Sequence, residues 1–280
     1  MNVRSCLAMA ALFVLTVGST VDAQQITKYV RYSDNGQVAY GVLEGDMIRE
    51  LAGSIFESPK TTGKTVKLAD VKLLAPCEPS KVIAVGLNYR SHLAGRPVAD
   101  YPGLFIKLPT TITGPETDIV LPPDATDAHY EGEMVLVIGK RTSNVSAEDA
   151  LDHVFGITAG NDVSERKWQS ADLQWFRAKA TDTFGPLGPA IVRGLNPDDV
   201  LVQTRLNGEV RQKERTKDLI FNVATMVSYI SRYVTLEPGD IIYTGTPGAT
   251  AAMKEGDVVE VEIEGVGVLR NRVRNAKGTK

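Results

Sequence analysis

Glu131 and Glu133 stand two residues apart at the head of an apolar run, Met134-Val135-Leu136-Val137-Ile138. In a strand, residues two apart share a face, so both carboxylates line up with Val135 and Val137. The opposite face carries Gly132, Met134, Leu136 and Ile138, and both faces are apolar, as in a strand covered on two sides. Two carboxylates at the mouth of such a strand repel each other and lose hydration, and they need a proton, a cation or a metal ion in compensation. Oxygen-only ligands suit Mg²⁺, Mn²⁺ or Ca²⁺ rather than zinc. A strand end open to water would instead leave two ordinary surface glutamates. Asp162 is a third candidate, placed after the apolar segment Phe155 to Ala159 and a Gly160-Asn161 turn. The end of a buried strand is where open sheets gather ligands. Asp162 and Glu165 would equally make a capping box for a following helix.

The elements that must position these groups read as short strands. Lys28 to Tyr32, Gln37 to Leu43 and Met47 to Leu51, joined by Asp34-Asn35-Gly36 and Glu44-Gly45-Asp46 turns, predict a small N-terminal β domain over residues 24–75. Pro76 to Pro79 reads as a linker. Further strands are expected over Val82–Val85, Gly103–Ile106, Glu133–Ile138, Phe155–Ala159, Leu187–Val192, Leu201–Leu206, Asp240–Tyr243, Asp257–Ile263 and Val268–Val273. Ser146 is placed to cap a helix over Ala147–His153, and Asn222 a longer one in which Val223, Met226, Val227, Ile230 and Val234 recur at helical spacing. Many strands, few helices and no regular alternation of the two predict an α+β fold that is mostly β.

The chain has 280 residues, 43% hydrophobic and 23% charged, with a formal net charge of -3. That balance is ordinary for a globular protein and lacks the basic stripe of a nucleic-acid binder. The basic stretch from Arg270 to Lys280 reads as a solvated end, with residues 276–280 as a tail. Arg4, the apolar run Leu7 to Val17 and Val21-Asp22-Ala23 follow the order of a secretory signal peptide over residues 1–23. Cleavage before Gln24 would export the protein and leave no membrane segment. A misplaced start would leave it cytoplasmic. Only Cys77 would remain in the mature chain, so no intramolecular disulfide is possible.

Several segments in order resemble the fumarylacetoacetate hydrolase family: Gly86 to His92, Phe105-Ile106-Lys107, His129 to Glu133, Asn161 to Arg166 through Gln169, Arg177-Ala178-Lys179, Asp182 to Pro189, and Tyr243 to Pro247. The likeness spans roughly residues 80–270 and implies a mixed β-sheet and β-roll catalytic domain over residues 76–275. It implies Glu131, Glu133 and Asp162 as ligands of Mg²⁺ or Mn²⁺, and Lys179 projecting towards the metal-bound ligand. It also implies Arg166, Gln169, Thr246 and Lys107 as substrate contacts, and a homodimer. Apart from it, Arg166 and Lys179 would read as surface cations and Thr246 as a turn residue.

His92 occupies the place of a catalytic lid histidine. Family hydrolases pair it with a glutamate three residues on, and the pair activates water. Here that position is Gly95, and the lid from Leu93 to Tyr101 is short; Asp100 is the next acid along. His129 flanks the carboxylate strand and His153 ends the first expected helix. The resemblance implies a metal-dependent hydrolase that cleaves a C–C bond in a small 2,4-dioxo acid through a stabilised enolate. Isomerases, tautomerases or decarboxylases of 2-oxo acids, of the 5-carboxymethyl-2-hydroxymuconate or oxaloacetate type, need only the enolate chemistry. A member that merely binds an oxo acid is the expectation from another class.

Overall fold

The carboxylate run forms the strand Gly132–Ile138, and every residue of it is buried. In the computed structural model, which describes residues 25–277, this strand lies inside a twelve-stranded sheet. The expected signal segment 1–23 lies outside the described residues. On one side the strand pairs antiparallel with Val154–Asn161, and on the other with Ile241–Tyr243. Beyond the latter come Val82–Gly86, in parallel, and Gly103–Lys107 at the edge. In the other direction, Val154–Asn161 pairs with Gly185–Arg193, and that strand pairs with Thr27–Asp34.

The N-terminal meander is present: Thr27–Asp34, Gln37–Glu44 and Met47–Ala52, followed by a fourth strand, Lys60–Lys67. It continues the main sheet, because Thr27, Lys28 and Tyr29 pair with Arg193, Val192 and Ile191. Strand-to-strand hydrogen bonds across this seam close what would otherwise be two open edges.

A second sheet of five strands, ordered Glu209–Arg215, Leu201–Leu206, Val258–Ile263, Gly267–Asn275 and Ile119–Leu121, packs against the first. Met134, Leu136 and Ile138 meet Val202, Val259, Val261, Ile263 and Leu269 in one core. Val135 and Val137, on the other face, join Val82, Ala84, Leu187, Ile191 and Tyr243 in a second. The alternation expected of this strand is therefore realised with apolar cover on both faces. At Gly132 the sheets approach so closely that a Cβ would lie 1.9 Å from Thr204 Oγ1.

Two local expectations need correction. Ala147–His153 forms no α-helix; Ser146 Oγ does cap Asp149 N–H at 3.2 Å, but only a 3-10 turn follows, over Ala150–His153. Leu151 is 43% exposed there and Ala150 alone is buried, so the segment lacks the apolar face that sustains a short helix. The basic end is not a free tail up to Asn275, since Arg270 to Asn275 belong to the strand Gly267–Asn275. The Asn222 helix forms over Val223–Ser231, with Asn222 Oδ1 accepting from Thr225 N–H at 2.9 Å. Val223, Met226, Val227 and Ile230 are buried, and Val234 lies past its end.

Candidate metal centre and active site

Glu131 and Glu133 flank the start of the carboxylate strand, and Asp162 follows the end of its neighbour Val154–Asn161. Two backbone ties bring the strand ends together: Glu131 N–H donates to Asn161 Oδ1 at 2.9 Å, and Asp162 N–H donates to the Glu131 carbonyl at 2.8 Å. One carboxylate oxygen from each of Glu131, Glu133 and Asp162 lies within 4.8 Å of the others, and all three residues are buried. The helix Arg166–Ala171 is capped by Glu165, whose carboxylate accepts from Trp168 N–H at 2.7 Å. Asp162 is thereby free of capping duty and available to the cluster.

Three cations surround it unevenly. Lys179 Nζ, on the short helix Phe176–Ala180, donates to Glu131 Oε2 and to Asp162 Oδ2, each at 2.6 Å. Lys107 Nζ donates to Asp162 Oδ1 at 2.6 Å, and Arg166 Nη2 to Glu131 Oε1 at 2.5 Å. Burial by itself would raise the Glu131 pKa, but Lys179 and Arg166 overcome it and hold the group well below the usual carboxylate range. Burial likewise opposes the charge on Lys179, yet Asp162 and Glu131 prevail and raise its pKa. Burial lowers that of Lys107 despite Asp162. Glu133 differs. It makes no ion pair among the described residues and accepts only from Gly245 N–H at 2.7 Å; burial, then Asp162 and Glu131, push its pKa well upwards. A hard cation among these oxygens would satisfy the one carboxylate that has no positive partner, so the donor set fits Mg²⁺ or Mn²⁺, with Ca²⁺ also compatible.

The cavity over the cluster measures about 470 Å³, and its walls include His92, Glu131, Glu133, Asp162, Arg166, Gln169, Lys179 and Thr246. Lys107 stands apart from that wall, buried behind Asp162 and hydrogen-bonded to the Lys179 carbonyl. Arg166 and Gln169 share a helix face, with Nη1 donating to Oε1 at 2.8 Å. Thr246 Oγ1 donates to the Gly132 carbonyl at 2.9 Å and accepts from Gln212 Nε2 at 2.8 Å.

His92 closes a 3-10 turn, Arg90–His92, whose root is tied down by Asn88 Nδ2 donating to the Thr244 carbonyl at 2.8 Å. His92 Nδ1 lies 2.5 Å from the Gly248 carbonyl, and Nε2 lies 3.6 Å from Glu131 Oε1. A carbonyl only accepts, so Nδ1 carries a proton, and Nε2 is turned towards the carboxylates. Gly95 has φ +83° and open space where a side chain would stand, and Asp100 makes no ion pair among the described residues.

Residue types alone did not single out Ser91, Arg96, Trp175, Gly248 and Thr250, which also line the cavity. Thr250 Oγ1 accepts from Arg166 Nη2 at 2.9 Å and meets His129 Nδ1 at 2.8 Å, while His129 Nε2 meets Asp127 Oδ1 at 3.0 Å. His129 thus supports Arg166 through Thr250. His153 bonds Thr142 Oγ1 at 2.9 Å and is not in the cavity wall.

The profile described as fumarylacetoacetate (FAA) hydrolase C-terminal matches residues 81–274, and one described as Rv2993c-like, N-terminal matches residues 27–76. Protein Rv2993c of Mycobacterium tuberculosis is 45% identical over 249 residues, which cover 84% of this chain and 94% of that protein. Oxaloacetate tautomerase FAHD2A, mitochondrial, of Bos taurus is 40% identical over 220 residues, 73% of this chain and 70% of that one. Among solved structures, a 5-carboxymethyl-2-hydroxymuconate delta-isomerase from Mycobacterium smegmatis is similar at 44% identity and a TM-score of 0.85, covering 89% of this chain and 100% of that one. A maleylpyruvate hydrolase from Sphingobium sp. SYK-6, in complex with manganese (II) ion and pyruvate, is similar at 27% identity and a TM-score of 0.74, with the same coverage.

Proposed function

The chain belongs to the fumarylacetoacetate hydrolase family, and on that premise we propose that it is a divalent-metal-dependent enzyme that moves a proton on a small 2-oxo acid, as a keto–enol tautomerase or isomerase. Glu131, Glu133 and Asp162 would hold Mg²⁺ or Mn²⁺, which would supply Lewis acidity to a 2-oxo acid and lower the pKa of the adjacent carbon.

The observation that carries this reading is His92 fixed above the carboxylates by a neutral carbonyl, with Nε2 turned into the cavity 3.6 Å from Glu131 Oε1. His92 Nε2 takes the proton from the carbon beside the oxo group, the electron pair shifts towards the oxo oxygen, and the imidazole returns a proton at oxygen or at the far carbon of a conjugated system. Lys179, already charged beside Glu131 and Asp162, offsets the negative charge that builds up. Arg166 and Gln169, joined to each other, orient the acid group.

C–C bond hydrolysis, which the sequence reading places first, is the second reading, because the 470 Å³ cavity has room for a water beside a small oxo acid. Hydrolysis needs a positioned water in addition to the enolate step, and Gly95 leaves His92 without the glutamate three residues on that family hydrolases use to activate it.

The test follows oxaloacetate enol-to-keto conversion, diene isomerisation and pyruvate release from acylpyruvates with Mg²⁺ or Mn²⁺, beside His92→Asn and Glu131→Gln. Metal-dependent proton transfer lost in both variants is expected. Metal binding without turnover would sink the reading. Export with cleavage before Gln24 also belongs to the proposal, and an intact Met1 in the mature protein by mass spectrometry refutes it. A homodimer also belongs to the proposal: exposed Leu104 and Ile106 on the edge strand Gly103–Lys107, with Tyr101 just before it, support it, and light scattering tests it.

A further inference from the structure

His92 has no acidic neighbour on its own loop, yet its orienting carbonyl is itself held. Gly248 sits at φ +62°, a conformation that turns its N–H and its carbonyl to different partners. The carbonyl accepts from His92 Nδ1 at 2.5 Å, and the N–H donates to Ser91 Oγ at 2.9 Å. Ser91 Oγ then donates to Glu214 Oε2 at 2.5 Å. Glu214 makes no ion pair among the described residues, so its carboxylate is committed to this one hydroxyl.

Glu214 lies on Glu209–Arg215, in the second sheet, and the same strand grips the loop at another point. Gln212 Nε2 donates to the Pro247 carbonyl at 2.6 Å and to Thr246 Oγ1 at 2.8 Å. Residues 246–248 are therefore clamped by two side chains that alternate along one strand, on a sheet that carries no metal-facing carboxylate. Because Ser91 precedes His92 directly, fixing the serine also fixes the turn that presents the imidazole.

We propose that Ser91 and Glu214 are positioning residues for His92, holding the Gly248 carbonyl where it bonds Nδ1 and turns Nε2 into the cavity. The proposal rests on the proton-transfer role of His92 given above. It assigns to a distant strand the orienting work that the lid, with Gly95, does not contain.

The experiment uses the Mg²⁺-loaded protein with Ser91→Ala, Ser91→Thr, Glu214→Ala and Glu214→Gln, and His92→Asn as reference. Turnover gives kcat and KM, Mn²⁺ titration gives metal affinity, and nitrogen-15 NMR of the His92 ring reads the tautomer. Ser91→Ala and Glu214→Ala are expected to lower kcat by about 10- to 100-fold, as a small misplacement of a reacting group does. KM and Mn²⁺ affinity should stay within about twofold, and the ring should leave its single Nδ1–H tautomer. Ser91→Thr and Glu214→Gln keep the hydroxyl and its acceptor and should restore kcat. Wild-type kcat and tautomer in both alanine variants, with His92→Asn inactive, overturn the proposal. So do equal losses in metal affinity or KM, or failure of the conservative variants to restore kcat. Full activity in His92→Asn would instead overturn the proton-transfer reading itself.

Discussion

Glu133 stands two residues along the same strand face from Glu131 but shares none of its cations: Lys179 and Arg166 both bond Glu131, and Glu133 has only the Gly245 N–H. The two carboxyls are consequently driven in opposite directions, Glu131 well below the ordinary value of 4.5 and Glu133 well above it. A divalent ion beside Glu133 would oppose the burial and the neighbouring carboxylates that push its pKa upwards.

That asymmetry has a measurable pH signature. A carboxyl raised in the folded state stays protonated while the unfolded chain ionises, so metal-free protein loses stability as pH rises above about 4.5 towards the folded pKa of Glu133. Glu133→Gln removes this loss. Urea unfolding in chelator across a pH series should show the variant gaining on wild type as pH rises, while its Mn²⁺ affinity falls by at least the roughly 10- to 100-fold that loss of an outer-shell partner costs. Parallel stability curves would contradict the assignment.

Lys179 carries two buried ion pairs, and Lys179→Met leaves Glu131 and Asp162 without it. Breaking a buried pair on one side costs about 3–5 kcal/mol. Metal-free Lys179→Met should therefore melt well below wild type. Added Mg²⁺ should raise its midpoint more than it raises that of wild type, because the ion then replaces a missing cation. An equal rise in both proteins would mean the ion binds elsewhere. Turnover should be lost even in saturating metal.

Arg96 is the one cation in the cavity wall that forms no ion pair among the described residues, whereas Arg166 and Lys179 are both engaged. An exposed, unengaged guanidinium there would favour substrates with a second acidic group. Arg96→Ala is expected to raise KM for a 2-oxo diacid by about 1.5- to fivefold, the modest range of a solvent-exposed charge contact. KM for a 2-oxo monoacid should be unaffected, and a uniform change in both would remove Arg96 from substrate selection.

Gly132 tests how the two sheets set the carboxylates. Gly132→Ala drives a Cβ into Thr204 Oγ1 and should destabilise the protein by about 1–3 kcal/mol, the usual cost of overpacking. Thr204→Ala in the same chain removes the offending oxygen and should recover most of that loss in thermal unfolding. Additive losses in the double variant would show that the strain lies elsewhere.

The amino-acid sequence by itself determined the carboxylate strand, because a five-residue apolar run rich in β-branched residues and flanked by Gly132 and Gly139 is too short for a buried helix and suits a strand covered on both faces. It likewise determined the meander's turns and the Asn222 helix, whose signals are local: glycine turns, a cap and helical spacing. The ordered motifs placed Arg166, Gln169, Lys179 and Thr246 among the candidates, and all four line the cavity with the carboxylates. Local signals misled at Ser146, where a sound cap had no apolar face to extend, and they could not tell a meander standing alone from one paired to Gly185–Arg193.

Only the tertiary structure decided which charges meet. It put Lys107 behind Asp162 rather than in the cavity wall, gave Glu165 the cap and freed Asp162. It also brought the Gly248 carbonyl to His92 Nδ1 and the Gly248 N–H to Ser91, which bonds Glu214, 123 residues away in the chain. Such contacts carry no sequence period, because they join a loop, a turn and a strand from a second sheet. Their geometry exists only once both sheets have packed.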